Sequence, residues 1–458
     1  MSFRGGYVFK NFEGTAEPVL RELPVPETVT ISLKTAHGRF LAPLVREGDT
    51  VRAGARLLES KSDVHCTIPS PVSGTVTGID ESGITITSDG SETFEPVQGH
   101  TRAPWNLDHN DIFALMCSSG VLLLLGLQDK TAEDCKAVGH VIIDAIHNSP
   151  LNQKWSPETY GDANLLADSI RTLQSIFPSA GIHIAINKRN GKFFSKPEIT
   201  GLASVHVLSD KYPQENAELL ARDTIHRKLI APDGVIDASI LVLPYSIVIR
   251  TAEILTQGRP LIDRILMVAG PGVSRPGWYR IRIGTTFAEI KRRLLKSVDG
   301  AHWRMIRGDL FSGEGIDDDR SSVSLTDTEI SVIREHDIRE LWRFMGPGFK
   351  YDSYPKVMAA SVLPVFKKQL DSNVHGGVRP CVQCNYCDEV CPVDIYPHLI
   401  WKLVMSGGIT DSFRYRPFEC VGCGLCDYVC PSKISLAGTV EKAKQEYRNS
   451  RRSDEVAD

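Results

Sequence analysis

No stretch of this 458-residue sequence is apolar for long enough to cross a bilayer. Its longest apolar runs, residues 121–125 and 240–249, fall far short of the ~20 residues a spanning helix needs. The opening Met1-Ser-Phe-Arg-Gly-Gly is polar and glycine-rich, which predicts no secretory leader. A large charge excess is also missing: the formal net charge of −4 argues against a nucleic-acid partner. The phosphate-cradling glycine loops G-x-G-x-x-G and G-x-x-x-x-G-K-S/T do not occur between residues 108 and 250. What remains, at 42% apolar and 24% charged residues, is the composition of a soluble globular chain long enough for about three domains.

Cysteine is plentiful, but at one end. Eight of the 11 cysteines stand in two runs, Cys381-Val-Gln-Cys384-Asn-Tyr-Cys387-Asp-Glu-Val-Cys391-Pro392 and Cys420-Val-Gly-Cys423-Gly-Leu-Cys426-Asp-Tyr-Val-Cys430-Pro431. Each run spaces its thiols C-x2-C-x2-C-x3-C-P, the pattern that wraps a 4Fe–4S cube. In two-cluster ferredoxins the first three cysteines of a run hold one cube and the fourth reaches across to the other. The expected ligand sets are therefore Cys381, Cys384, Cys387 and Cys430 for one cluster, and Cys420, Cys423, Cys426 and Cys391 for the second. Zinc is the weaker alternative, since it usually takes one C-x2-C pair from each of two loops. Cys66, Cys117 and Cys135 are scattered and read as small buried hydrophobes rather than disulfide partners. Labile clusters imply a reducing, cytoplasmic setting.

The rest of the chain predicts a multidomain α/β and α+β protein. Residues 1–107 hold short β-branched runs broken by Gly48, Gly54 and Gly74, the text of a barrel-sandwich β domain. Their phrasing resembles lipoyl and biotinyl carriers, with Lys61 near the place of the modified lysine, although the spacing favours an unmodified lysine on a solvated turn. Residues 108–250 alternate apolar strands (120–126, 140–144, 181–186, 204–208, 240–243) with helices (131–137, 163–176, 215–225), as in an α/β layer with a largely parallel sheet. Residues 251–300 predict a β-grasp module with Thr285 or Thr286 capping a helix, and Arg280 and Arg282 on one sheet face, read as solvated, with a surface for an anionic partner as the alternative. Residues 301–375 connect, through an acidic turn at 317–320 that lacks calcium-loop spacing. Residues 376–448 form the two-cluster ferredoxin domain, helical from the spacing of Leu399, Ile400, Leu403 and Val404, and a charged tail, 449–458, is expected to fray.

Several phrases together resemble one family. Phe3-Arg-Gly-Gly6, Glu47-Gly-Asp-Thr-Val51, Pro71-Val-Ser-Gly-Thr-Val76, Lys211-Tyr-Pro-Gln-Glu215 and Pro260-Leu-Ile-Asp-Arg264, with the double cysteine run, resemble the RnfC component of the Rnf electron-transport complex. Asn148-Ser-Pro-Leu-Asn152, Gly270-Pro-Gly-Val-Ser-Arg-Pro276 and Glu329-Ile-Ser-Val-Ile-Arg334 are similar to the NqrA component of the sodium-translocating NADH:quinone reductase. The resemblance implies a peripheral subunit on the cytoplasmic face of the membrane, partnered by membrane subunits that couple electron transfer to Na+ or H+ transport, with quinone reached through the complex. It also implies an α/β domain like the flavin subunit of complex I. The glycine-rich loop that holds FMN and NADH in RnfC is replaced here by Met116-Cys-Ser-Ser-Gly-Val-Leu-Leu-Leu-Leu-Gly126, whose leucines keep a backbone from approaching a phosphate. His147 and Asn148 fall at the former flavin position, where His147 reads as a loop histidine, with a quinone or flavin contact as the alternative. The resemblance thus implies an electron relay. An NADH-oxidising subunit and a scaffold with structural clusters are the competing readings.

Overall fold

The computed structural model describes residues 4–34, 40–60, 64–298, 302–318, 320–335, 347–363, 365–373 and 377–457. Strand β1 (Leu20–Glu22) leaves the N-terminal segment for a distant sheet. The β domain follows as β2 (Thr28–Ile31), β3 (Leu41–Pro43), β4 (Thr50–Val51), β5 (Arg56–Ser60), β6 (Thr67–Pro69), β7 (Gly74–Asp80) and β8 (Gly83–Ser88). They form two antiparallel layers, ordered β2-β8-β7-β4 and β3-β5-β6. Alternation turns Val29, Ile31, Val76, Ile84 and Ile86 of one layer inward, and Leu57, Leu58 and Ile68 of the other, with a register shift between Arg56 and Leu58, are buried with them in the barrel sandwich expected from the sequence. Lys61 lies outside the described residues.

Helix α1 (His109–Ser119) starts under Asp108, whose carboxylate accepts from the amides of Asn110 and Asp111. Gly120 then turns left-handed, with φ of 79°, and the chain restarts as α2 (Val121–Leu124). The apolar run 121–125, expected as a strand, is therefore helical and buried throughout. Five apolar residues carry no periodicity of their own, so the preceding helix and the left-handed turn at Gly120 decide the conformation. Cys66, Cys117 and Cys135 sit in or against this core as expected, and Cys66 and Cys117, distant in sequence, face each other.

After α3 (Ala132–Lys136), strands β9 (His140–Ala145), β10 (Gly181–Asn187), β11 (Ser204–Leu208) and β12 (Ile240–Pro244) pair in parallel in the order β11-β10-β9-β12. Helices α4 (Ala163–Ile176), α5 (Gly191–Phe194), α6 (Ala217–Ile225) and α7 (Tyr245–Gln257) connect or follow them, and α7 is buried from Tyr245 to Thr256. This order creates a topological switch point between β9 and β12, where α/β sheets open a crevice at their C-terminal ends.

Strands β13 (Asp263–Ala269) and β14 (Gly277–Arg282) join β1, β15 (His302–Arg307), β16 (Glu314–Gly315) and β17 (Glu329–Glu335) in a sheet ordered β1-β14-β13-β17-β15-β16. Helix α8 (Phe287–Leu294), capped by Thr286, lays Phe287, Ile290 and Leu294 across one face, the β-grasp arrangement. The other face meets α7, and there the expectation of solvated arginines fails. Arg280 lies 3.0 Å from Glu253 and 3.1 Å from Asp263, with only 10% of its side chain exposed. Arg250 and Arg259 complete this network at 3.2 and 2.7 Å from Asp263. Strand alternation predicts which residues share a face, not what covers it. Burial alone would raise the Asp263 carboxyl, but Arg250, Arg280 and Arg259 outweigh it and hold that group ionised. Asp318 and Arg320 are solvent-exposed, while Asp319 and residues 336–346 lie outside the described residues.

A short helix, α9 (Ala359–Val362), stands in the link to the last domain, where α10 (Tyr386–Glu389), α11 (Pro397–Met405), α12 (Leu425–Val429) and α13 (Leu436–Ala457) follow. The tail expected to fray continues α13 instead. No helix among the described residues is long and apolar enough to cross a membrane. The N-terminal segment straps this domain to the rest: Gly6 N–H donates to Val390 O at 2.8 Å, and Phe9 and Phe12 pack in one cluster with Tyr212, Leu425 and Val429. Gly5 has φ +64°, and a Cβ there would stand 2.4 Å from Cys391 O, so only glycine fits.

Candidate iron–sulfur site

The two cysteine runs fold alike. In each, two left-handed residues turn the loop between the first three thiols: Gln383 and Asn385 in one, Gly422 and Gly424 in the other. The short helices α10 and α12 then carry Cys387 and Cys426, and the fourth cysteine follows at the helix end, before proline. Asp388 and Asp427 occupy matching places. His398 Nδ1 lies 3.0 Å from Asp388, while Asp427 accepts from the amides of Leu436 and Ala437 at 2.6 and 2.8 Å.

Packing brings the thiols together across the runs. Cys381, Cys384 and Cys387 line one cavity with Cys430, closed by Pro431, Ile434 and Leu436. Cys391 packs beside Cys420, and Cys391, Cys420 and Cys423 all lie within electrostatic reach of Cys426. None of the eight is in a disulfide. Burial pushes the Cys391 thiol up to about 11, and those of Cys387 and Cys423 to about 12. Thiols gathered and partly buried in this way would be held as thiolates by a cation, the charge that an iron–sulfur group would supply. Four sulfur donors around one enclosed space fit a 4Fe–4S group.

The surroundings supply hydrogen bonds. Gly422 N–H points at Cys420 Sγ at 3.4 Å, and Lys444 Nζ donates to Cys420 O at 2.7 Å. Tyr212, from the α/β domain, sets its hydroxyl 2.9 Å from Cys423 O and 2.8 Å from Asp309 Oδ1. Arg222 of α6 donates to Pro392 O at 2.8 Å. Sequence reasoning missed Tyr212 and Arg222 as supports, although Tyr212 sits in the Lys211-Tyr-Pro-Gln-Glu215 phrase. A cleft of about 940 Å³ opens beside the second group, with Cys420, Phe418, Arg4, Arg222, Lys444 and Arg448 in its wall.

The switch-point crevice is built differently. His147, just past β9, packs at a tilt against Trp155 with ring centroids 4.2 Å apart and meets Trp278 edge-on at 5.5 Å. Tyr160 and Tyr245 close the group at 5.7 Å, and both tyrosines and both tryptophans are buried. Burial and the nearby Arg189 guanidinium hold His147 down to about 3, so it is neutral. Asn148 gives its backbone N–H to Glu215 at 3.0 Å and its side-chain amide to Lys211 O at 2.8 Å. Burial pushes Glu215 well above the usual carboxyl range, with Asp144, Glu329 and Asp309 adding to it.

Residues 1–94 match the family model described as RnfC Barrel sandwich hybrid domain, and residues 380–434 match the 4Fe-4S dicluster domain. With the cysteine geometry, these matches define an iron–sulfur electron-transfer protein. The A component of the Na(+)-translocating NADH-quinone reductase of Haemophilus influenzae strain Rd is 24% identical over 375 residues, 79% of this chain and 80% of that one. The same component in Histophilus somni strain 129Pt is 26% identical over 387 residues (80% and 81%), and that of Yersinia pestis 25% over 393 (81% and 81%). Among solved structures, the air-oxidized NAD+-reducing NiFe-hydrogenase is similar over 53% of this chain and 49% of that one, at 13% identity and a TM-score of 0.36. The matches fit the NqrA/RnfC family, together with a 4Fe–4S dicluster domain.

Proposed function

We propose that the chain is a peripheral electron-relay subunit of an ion-translocating NADH:quinone or ferredoxin oxidoreductase, docked on the cytoplasmic face of the membrane. The crossed gathering of the cysteines carries this reading, because three thiols of one run and the fourth of the other surround a single enclosed space. Cys381, Cys384, Cys387 and Cys430 hold one cluster; Cys420, Cys423, Cys426 and Cys391 hold the other. When bound, 4Fe–4S clusters supply one-electron exchange at potentials set by hydrogen bonds and solvent access. The chain's own residues bury the sulfurs, orient the loops through Tyr212 and Lys444, and leave the Cys420 side open to a cleft where a partner's carrier can approach. Membrane subunits supply the ion path and any quinone site.

The packed aromatic rings at the switch point and the helical 121–125 run favour a subunit that does not itself hold flavin or NADH there. Anaerobically purified protein tests the reading. About eight iron and eight labile sulfide per chain, bleached by dithionite, are expected from two cubes. A yellow flavin spectrum, or bleaching by NADH without partners, would replace the relay with an NADH-oxidising subunit. Clusters that no reductant reaches would leave only a scaffold.

A further inference from the structure

Toward the starting ends of the parallel strands, three imidazoles stand in a row across the sheet. His140 Nδ1 of β9 lies 3.2 Å from His183 Nε2 of β10, and His183 Nδ1 lies 3.1 Å from His206 Nε2 of β11. They share the sheet face that Ile142, Ala185 and Leu208 present to α6, but none of the three histidines is buried. The register pairs His140 with Gly181, two residues before His183 on the same strand. A Cβ on Gly181 would stand 3.1 Å from His183 Nε2 and 3.8 Å from His140 Nδ1. The glycine therefore leaves open, solvent-facing space beside both nitrogens. Its φ lies outside the left-handed region, so the backbone itself does not demand glycine.

We infer that His140 Nδ1 and His183 Nε2 form a binding site for a divalent transition ion of the zinc class, with His206 as the positioning residue behind them. Two nitrogens on one tetrahedral ion, each about 2.0–2.1 Å away, lie about 3.3 Å apart, close to the observed pair. Imidazole suits zinc, copper and nickel. The second contact in the row supplies the support such a ligand uses: with an ion on its Nε2, a neutral His183 carries its proton on Nδ1, 3.1 Å from His206 Nε2, which would accept it. Asp237 faces His140 and adds negative field, although its carboxylate is already engaged by Ser239 and Arg227. Water fills the remaining positions of the ion. His226 is the other imidazole near His206, and it lies on the loop after α6.

The test uses the full chain with its clusters intact and Zn2+ alone as probe. Calorimetric titration should find one site per chain that His183→Ala removes. Gly181→Ala keeps all three histidines but fills the space beside them, and should weaken binding at least about tenfold, as should His206→Phe through the lost support. Zinc-edge X-ray absorption should show nitrogen and oxygen neighbours at about 2.0 Å. Sulfur at about 2.3 Å would assign the ion to the cysteines and overturn the site. Equal Zn2+ affinity in the parent, His183→Ala and Gly181→Ala proteins would overturn it too, as would no binding by the parent. In that case the row is a hydrogen-bonded imidazole ladder and nothing more.

Discussion

The Tyr212 hydroxyl stands 2.9 Å from the carbonyl oxygen of Cys423, so a side chain of the α/β domain touches the backbone of the second cysteine loop. The same hydroxyl lies 2.8 Å from the Asp309 carboxylate, which fixes the ring between the two domains. Tyr212→Phe keeps the packing against Phe9 and Phe311 and removes both hydroxyl contacts, to Cys423 O and to Asp309. It should cost about 1 kcal/mol of stability. It should also perturb the EPR signal of the cluster assigned to the second loop more than the other. Equal effects on both signals would mean that the contact does not support that loop.

Gly5 and Gly48 separate two costs of replacing a left-handed glycine. Both have positive φ, +64° and +90°, but a Cβ at Gly48 meets nothing within 4 Å, whereas one at Gly5 strikes the Cys391 backbone. Gly48→Ala should carry the backbone strain alone, about 1 kcal/mol. Gly5→Ala adds the collision and should loosen the N-terminal strap, lowering the unfolding temperature further and speeding iron loss on exposure to chelator. Matching behaviour of the two variants would show that the strap does not secure the cluster domain.

Glu329 and Asp144 make stability depend on pH. Burial, then Asp309, pushes Glu329 up to about 8, and burial pushes Asp144 up to about 8 against the pull of the Ile146 N–H. A carboxyl whose folded pKa exceeds its unfolded value, about 4, takes up a proton on folding. Its contribution is complete below the unfolded value and is lost as pH rises through the folded one. Stability should fall between about pH 5 and 8, by up to about 1.4 kcal/mol per pH unit for each group. Glu329→Gln should flatten part of this slope in urea denaturation at several pH values. A variant with the parent's slope would show that Glu329 is not protonated in the fold.

Asp263 anchors three arginines between α7 and the β-grasp sheet. Asp263→Asn leaves buried guanidinium charge with one carboxylate fewer and should cost about 3–5 kcal/mol, measurable by thermal unfolding. A loss below about 1 kcal/mol, that of a surface pair, would mean water reaches the network.

The cysteine spacing, the parallel strands and α4 could be read from the sequence because each rests on a local pattern: fixed ligand intervals, short apolar runs and a 3.6-residue period. The failures share a cause. Residues 121–125 have no period, so their helix depends on the preceding α1 and the turn at Gly120; Arg280 shows its face in the alternation, but α7, which covers it, is distant in sequence. Helix α7 is absent from the expected elements although Ser246, Arg250, Glu253 and Gln257 recur at helical spacing; Arg250 and Glu253 of this polar stripe are buried against Asp263 and Arg280, a pairing that only tertiary packing reveals. Tyr212 and Arg222 reach cluster loops that lie 211 and 170 residues further along the chain, beyond any local signal.

The proposed relay rests on each cluster drawing its fourth ligand from the other run. EPR of reduced Cys430→Ser protein tests this directly. The crossed ligand sets predict that the signal of the cluster held by Cys381, Cys384 and Cys387 is lost or altered while that of the Cys420 cluster persists. Loss confined to the Cys420 cluster would contradict them.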